Sequence, residues 1–381
     1  MKSELFPALN DITFANKTPE EIESEIIKIY ENLSGRSLAR GDPVRLFLET
    51  IILVIIHQRA LIDHSAKMNL LAYATGDYLD HLGALLGVMR LEASSALTTL
   101  KFTLSEAQEA NILIPVGTRA TPDGTIYFAT TEAIEIPAGE TEIKITAQCT
   151  VTGMQGNGYI KGQIKKLVDP FIYEMDVENI TESSGGSDIE SDENYRERIQ
   201  LAPESFSVAG SKGAYKFYAL SANANIIDVA VIAPEDADFC LPGNVYLFPL
   251  MSGGEIPSQE ILDAVYAICN AETIRPDTDY LHVLEPGTVN YDVEVIYYID
   301  RQRATQAAQI QNAVNIAVTN WISWQKSKLG RDINPSELIH MIIDAGAKRA
   351  VVNLPLFTVI TQWSVAQENS ISVTFGGFEN G

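Results

Sequence analysis

The sequence predicts an α+β protein of several domains, with an N-terminal helical region, a small β-rich domain and C-terminal α+β domains. Three observations predict this fold class. Apolar residues in the first quarter of the chain recur at helical spacing, whereas from residue 97 they alternate with polar residues between turns rich in proline and glycine. Beyond residue 200, helical and strand patterns alternate. With 381 residues, the chain is long enough for two or three cores.

Two helix-start signals open the N-terminal region. Thr18 followed by Pro19, and Asp42 followed by Pro43, each place a capping side chain before a proline that is favourable in a first helical turn. The second pattern is long for a globular helix and extends to about Tyr73. A third, short helix follows the break at Gly76 and ends near residue 87.

These helices carry more apolar side chains than three helices readily bury on one another. Either the apolar faces close as an ordinary bundle, or part of the stripe is covered by helices of another chain, and the sequence leaves both possibilities open. The candidate interface residues are apolar positions of the second and third helices: Ile51, Val54, Ile55, Leu79, Leu82 and Leu86.

Changes of period and clusters of turn residues mark the domain boundaries. The strongest strand pattern alternates from Val289 to Ile299, with acidic and amide side chains at the outward positions. The sequence therefore predicts a helical region at 1–92, a β-rich domain at 93–180, an acidic linker and helix start at 181–200, an α+β domain at 201–286, and a C-terminal α+β domain at 287–381.

Composition excludes several classes of function. The 27 basic and 50 acidic side chains give a formal charge of −23, which repels nucleic acid. The longest apolar run, Ile51–Ile56, is too short for a membrane span, and the first ten residues lack the apolar core of a signal peptide. Three widely spaced cysteines support neither a disulfide framework nor a zinc cluster, and they are expected in the core.

No catalytic, cofactor-binding or metal site is predicted. The densest carboxylate cluster comprises Asp188, Glu190, Asp192 and Glu193, but it lacks the glycine and distal glutamate of a calcium loop, and acidic residues before a helix are favoured by its dipole. The chain has no nucleophile elbow and no phosphate-binding glycine loop, and its five histidines lack metal-ligand spacing.

Two segments resemble the baseplate J-like family. Residues 75–90, TGDYLDHLGALLGVMR, resemble its helical G-x-x-L-D-x-L-G…G-V-x-R signature. Residues 185–199, GGSDIESDENYRERI, resemble its G-G-x-D-x-E-S-D-E-x-Y-R-x-R-I linker. Shorter matches, such as Pro115–Thr118 and Leu329–Ile333, fall in family order, so the resemblance extends from about Gly76 to Ile333.

The resemblance implies a structural wedge subunit of a contractile-tail baseplate, in a phage, a tailocin or a related injection system. Such a subunit is made in the bacterial cytoplasm, assembles into a ring around the tail-tube hub and transmits the trigger for sheath contraction. The implied partners are a second wedge protein of the tail protein I type, copies of the chain itself, other wedge, hub and spike proteins, and the sheath end. Neither nucleic acid nor direct membrane insertion is implied.

Within this family expectation, the acidic linker acts as a hinge or an inter-subunit contact; the alternative is a cap and salt bridge within one domain. Its candidate residues are Gly185, Gly186, Asp188, Asp192, Glu193, Tyr195, Arg196 and Arg198.

Two other classes of function stay open. A glycan-binding adhesin on an extracellular or particle surface would need an export signal. A metal-dependent glycan hydrolase using Asp188, Asp192 or Glu193 would lose its activity when that cluster is replaced by alanine.

Overall fold

The computed structural model describes residues 5–6, 8–207 and 210–380. Contacts divide the chain into two compact units. The first contains Met1–Arg90 and Tyr195–Gln200, and the second contains Leu91–Asn194 and Leu201–Gly381. The predicted domains 1–92, 201–286 and 287–381 each include residues that lie outside the described ones.

Three helices form most of the first unit, as the sequence predicts: α1 (Pro19–Ser34), α2 (Pro43–Lys67) and α3 (Asp77–Ala84). The hydroxyl of Thr18 accepts a hydrogen bond from Glu21 N, and the Glu21 carboxylate accepts one from Thr18 N, so both halves of a capping box are present. Asp42 caps α2 by accepting from Val44 N at 2.9 Å. Both predicted start signals are confirmed.

The predicted end of α2 near Tyr73 is wrong, because the helix stops at Lys67. The side chain of Asn69 donates to Ser65 O at 2.8 Å, and the following turns close through Leu70 N→Lys67 O and Tyr73 N→Leu70 O. Burial of Met68 and Tyr73 in a small separate cluster favours these turns over further helix. The apolar pattern in the sequence continues past the end of the helix because side chains of the following turns are buried too. α3 likewise ends at Ala84, three residues before the predicted end.

The second unit begins with a β-rich region. Six strands form one antiparallel sheet in the order β7-β3-β4-β6-β1-β8, and its two end strands contact each other, so the sheet nearly closes. A separate pair, β2 and β5, completes the region. Alternate residues of the first strand, including Leu100 and Phe102, fill its core. The strands are β1 (Ser95–Leu104), β2 (Ile112–Ile114), β3 (Arg119–Thr121), β4 (Phe128–Thr130), β5 (Ile134–Ile136), β6 (Glu142–Thr152), β7 (Lys166–Leu167) and β8 (Met175–Asn179).

A mixed three-stranded sheet in the order β11-β10-β9 follows, with two helices packed on it. Ser211 caps α5 by accepting from Ala214 N at 3.2 Å. Ser258 precedes α6 as predicted, but its hydroxyl lies 2.7 Å from the Ser184 hydroxyl instead of capping the helix. Burial raises the pKa of the Cys269 thiol to about 12. The elements are α5 (Lys212–Leu220), β9 (Ile226–Ile232), β10 (Asn244–Met251), α6 (Gln259–Cys269) and β11 (Tyr280–Val283). Before them comes α4 (Asp192–Leu201), of which Tyr195–Gln200 belongs to the first unit.

The C-terminal region packs two helices on a sheet of order β13-β12-β14. Its central strand alternates buried and exposed residues as the sequence predicts, and Trp321 meets Tyr291 edge to face in the core at 5.7 Å. β12 runs antiparallel to β13 and parallel to β14. The elements are β12 (Gly287–Asp300), α7 (Ala307–Gln325), α8 (Pro335–Asp344), β13 (Arg349–Leu354) and β14 (Ser364–Glu379).

The α+β multidomain class is confirmed. The three cysteines are buried, as expected from the sequence. Among the described residues, no helix combines the length and apolarity needed to cross a membrane.

A buried carboxylate joins the last two regions of the second unit. Asp228 on β9 is 7% exposed and lies 2.8 Å from Lys216 Nζ. It also accepts hydrogen bonds from Val229 N at 2.9 Å and from Leu329 N, just beyond α7, at 3.1 Å. Removal of this carboxylate takes the shown acceptor from two buried backbone N–H groups and removes one ion pair of Lys216.

We therefore expect Asp228→Ala to destabilise the second unit by about 2–4 kcal/mol. Its exposed counterpart is the Lys212–Glu235 pair at 3.0 Å, where Glu235→Ala should cost less than about 1 kcal/mol. All three tryptophans, Trp321, Trp324 and Trp363, lie in the second unit, so urea unfolding followed by tryptophan fluorescence measures both variants. Equal shifts of the two midpoints would refute the role given to Asp228.

Candidate assembly site

The two segments that carry the family resemblance meet inside the first unit. Three buried side chains of α4 donate hydrogen bonds to backbone carbonyls between residues 71 and 89. We call these three residues, Tyr195, Arg196 and Arg198, the α4 clamp. Arg196 donates to Leu71 O at 2.8 Å and to Ala74 O at 2.6 Å. Arg198 donates to Met89 O at 2.6 Å. The planar guanidinium groups thus satisfy carbonyls in the irregular segments on either side of α3.

A glycine makes room for the third member of the clamp. The Tyr195 hydroxyl donates to Val88 O at 2.7 Å, and a Cβ atom at Gly83 would overlap this hydroxyl. The Arg90 guanidinium lies 4.7 Å from the Tyr195 ring centroid and is also paired with Asp80 at 2.7 Å. The glycine of the helical signature is therefore required by a close approach to the linker helix.

The start of the acidic linker is pinned within the second unit rather than solvated. Ser187 is buried and forms an antiparallel bridge with Ser94 at the entry to β1. The side chain of Asn157 donates to Gly186 O at 2.8 Å and accepts from Gly186 N at 2.9 Å. A Cβ at Gly186 would lie 2.5 Å from a backbone oxygen, and Gly185 has a φ of 85°. Both glycines are needed for this close packing.

The carboxylates of the linker have different environments. Glu190 is buried, and Leu91 N donates to its side chain at 3.0 Å. Asp188 is exposed and accepts from Met154 N at 3.3 Å. Asp192 and Glu193 begin α4, where the helix dipole favours them. In the part of the chain that the structure describes, no group of three or more His, Cys, Asp or Glu side chains is arranged to hold a metal ion.

A second feature of the first unit is the pairing of α1 with α2. The helices meet through Ile22, Ile27 and Ile52. Arg45 of α2 lies 2.8 Å from Glu49 and 2.9 Å from Glu23 of α1, and its hydrogen bonds to these carboxylates raise its pKa above the usual value, that to Glu49 most strongly. Together these contacts use one face of α2.

Another face of α2 carries exposed apolar side chains, which we call the α2 stripe: Phe47, Ile51, Val54, Ile55, Leu61 and Ile62. At roughly 3.6 residues per turn these positions fall on one side of the helix, away from Ile52. The predicted candidates Ile51, Val54 and Ile55 lie within it. Leu86 is also exposed and Leu82 is half-buried. Leu79 has no exposed surface in this structure, so it does not belong to a free surface of the first unit.

Sequence reasoning missed two parts of this arrangement. Arg196 and Arg198 were expected to be available for pairing between subunits, whereas the structure buries both within the first unit. The spacing of Tyr195 and Arg198 on a short polar helix was a usable signal, since helical neighbours three apart share one face. Gly83 gave a weaker signal, as an isolated glycine inside a helical pattern with a packing reason.

Family comparisons cover most of the chain. Four models match in order: the baseplate J-like N-terminal domain at 41–96, the barrel domain at 99–186, the central domain at 207–285 and the C-terminal domain at 293–374.

The baseplate protein J of Escherichia phage P2 is 31% identical over 194 residues, which are 50% of this chain and 61% of that protein. The match thus spans less than two thirds of the relative's length. A chain of the six-fold symmetrised cryo-EM structure of the anti-feeding prophage baseplate superposes with a TM-score of 0.38 and 14% identity, covering 94% of this chain and 95% of the other. Given the four consecutive family matches, this chain belongs to the baseplate J-like family.

Proposed function

We propose that the chain is a structural wedge subunit of a contractile-tail baseplate. In this role it assembles with copies of itself into a ring around the tail-tube hub and transmits the trigger for sheath contraction, without catalysing a reaction. Family membership supports the baseplate setting, and the α2 stripe is the structural observation that carries the assembly role. The particle is a phage, a tailocin or a related injection system.

The α2 stripe is the surface on which we expect a partner to bind. Six large apolar side chains on one face of a 25-residue helix form a surface that soluble proteins usually cover. An amphipathic helix of a second chain, laid along α2, would bury this stripe with apolar anchors three and four residues apart. We assign this place to the second wedge protein of the tail protein I type that the family resemblance implies.

The α4 clamp gives the first unit the stiffness that such a part needs. Hydrogen bonds from the two guanidinium groups to backbone carbonyls tie α4 to the irregular segments on both sides of α3. A stiff unit transmits a displacement of its bound helix, whereas a loose one absorbs it. On the second unit, the exposed carboxylates Asp188 and Glu193 remain candidates for pairing with basic groups of other baseplate proteins.

Cryo-EM reconstruction of contractile particles from the producing cell tests the overall role. We expect density for this chain at the distal end of the tail tube, with a foreign helix lying along α2. Complete particles that lack the chain would refute the baseplate role.

A pair of neighbouring substitutions tests the α2 stripe. Val54 and Leu53 are 58% and 66% exposed, but they point to different sides of α2. In producing cells that lack the native gene, we expect Val54→Glu to reduce intact particles at least roughly tenfold, because it places a charge in the buried helix contact. Leu53→Glu should leave the yield unchanged. Particle counts by electron microscopy and sedimentation measure both; equal yields would remove the stripe from the proposal.

A double-mutant cycle tests the α4 clamp. Gly83→Ala should destabilise the first unit by more than about 2 kcal/mol, because the new methyl group displaces the Tyr195 ring. In a Tyr195→Ala background the same change should cost less, since the overlapping ring is gone and only the 2.8 Å approach to Val88 O remains. Hydrogen exchange of α3 measures the free energy of opening in all four proteins. Additive effects would contradict the close contact between the two residues.

A further inference from the structure

A cleft of about 670 Å³ lies within the second unit, between its β-rich region and its central α+β region. One wall comes from residues 154–158 and from the start of the linker at residues 182–186. The other wall comes mainly from residues 251–261, around the connection from β10 to α6. Because clefts of roughly 300–1,000 Å³ hold drug-sized ligands, this one has room for several side chains. We call it the junction cleft.

Hydrogen bonds within the chain hold the walls of the junction cleft in place. The Ser184 hydroxyl lies 2.7 Å from the Ser258 hydroxyl. The side chain of Asn225 donates to Gly186 O at 2.9 Å, and the carbonyl of Asn225 accepts from Ser252 N at 2.7 Å. The two walls are thus tied to each other. Such a preformed site reduces the entropic cost that binding would otherwise carry.

The interior of the junction cleft is uncharged, whereas its exposed edge is acidic. Pro257 and Ile261 are buried, and the lining contains hydroxyl and amide groups but no lysine, arginine or histidine. The charged residues of the lining are three exposed glutamates, Glu182, Glu255 and Glu285. Among the described residues, none of these three carboxylates forms a salt bridge. The cleft therefore combines an uncharged floor with a negative field at its entrance.

The charge of the junction cleft selects the kind of partner that it fits. Lys326 lies beside Gly254, which precedes Glu255, but its ammonium group pairs with Glu368 at 2.8 Å instead of with the cleft. Three carboxylates at one cleft repel one another and any acidic molecule, and the chain itself carries a net charge of −23. Charge complementarity therefore favours a basic partner and disfavours a second copy of the chain.

We propose that the junction cleft binds an extended segment of another baseplate protein, in which an apolar side chain lies between lysine or arginine residues. The apolar side chain enters the cleft beside Ile261, and the basic groups pair with the glutamates at its edge. The inference rests on the baseplate role proposed above and adds a contact distinct from the α2 stripe. A segment bound there contacts the β-rich region and the central region at once.

Methyl NMR of the purified full chain tests the cleft without a particle. Labelled methionine methyl groups report on Met154 and Met251 in the cleft, and on Met341 outside it. The probes are two tripeptides with blocked ends, Arg-Leu-Arg and Glu-Leu-Glu. We expect the basic peptide alone to shift the Met154 and Met251 signals saturably, because its charges complement the cleft edge. Shifts caused by both peptides, or by neither, would contradict the inference.

Two triple variants, each lacking three carboxylates, provide a matched comparison. The cleft variant carries Glu182→Gln, Glu255→Gln and Glu285→Gln. The control variant carries, at exposed positions outside the cleft, Glu106→Gln, Glu132→Gln and Glu140→Gln. The cleft variant should bind the basic peptide at least roughly tenfold more weakly, because it loses the opposing charges, whereas the control variant should keep its affinity. Equal weakening in both would reduce the effect to net charge and overturn the proposal.

Photo-crosslinking in assembled particles identifies the bound segment. Ser252 is exposed in the cleft and Glu132 is exposed outside it, so p-benzoylphenylalanine replaces one or the other. We expect the probe in the cleft, but not the control, to capture a peptide of another baseplate protein with lysine or arginine beside the link. Capture of a copy of this chain, of a segment without basic residues, or of nothing would refute the inference. Particles that lack the chain altogether would instead contradict the baseplate role, so the two failures are distinguishable.

Discussion

Burial of two guanidinium groups is the constraint on which the first unit depends. A charged side chain with almost no exposed surface needs hydrogen-bond acceptors, and Arg196 donates through Nε to Leu71 O and through Nη2 to Ala74 O, while Arg198 donates to Met89 O. The turn after α2 and the segment after α3 therefore have defined conformations without regular secondary structure. The position of Gly83 follows from the same contact, because the tyrosine beside the arginines needs the space that a side chain there would fill.

In the second unit, glycines and neutral polar side chains, rather than buried arginines, hold the start of the linker. Its glycines bring the backbone of residues 185–187 against Ser94 and Asn157, where amide and hydroxyl groups replace the water that a polar loop would normally bind. The glycine pair and the acidic residues therefore have separate roles: the glycines permit close packing, whereas Asp192 and Glu193 begin α4, where the helix dipole favours them. A polar, glycine-rich composition alone does not distinguish a solvated loop from a packed one.

Two surfaces remain incomplete by ordinary criteria, and they differ in physical kind. The α2 stripe lacks apolar cover, so any amphipathic helix of suitable spacing lowers its free energy through the hydrophobic effect. Among the described strands β14 pairs with β12 alone, so only an extended strand would complete its other edge, and direction and register would matter.

The sequence by itself determined the local structure and the family. Caps at Thr18 and Asp42 start the first helices, and the alternation along β12 identifies a strand with one buried face, because these signals act between residues that are close in the chain. The exposed α2 positions were also foreseeable from helical spacing, although their lack of cover was not. Only the tertiary structure decided the end of α2, the burial of Arg196 and Arg198, and the edge position of β14. The hydrogen bonds of the clamp join residues 107 and 125 positions apart, and the pairing of strands depends on the whole sheet. Such contacts are set by packing between distant segments, which a local pattern does not encode.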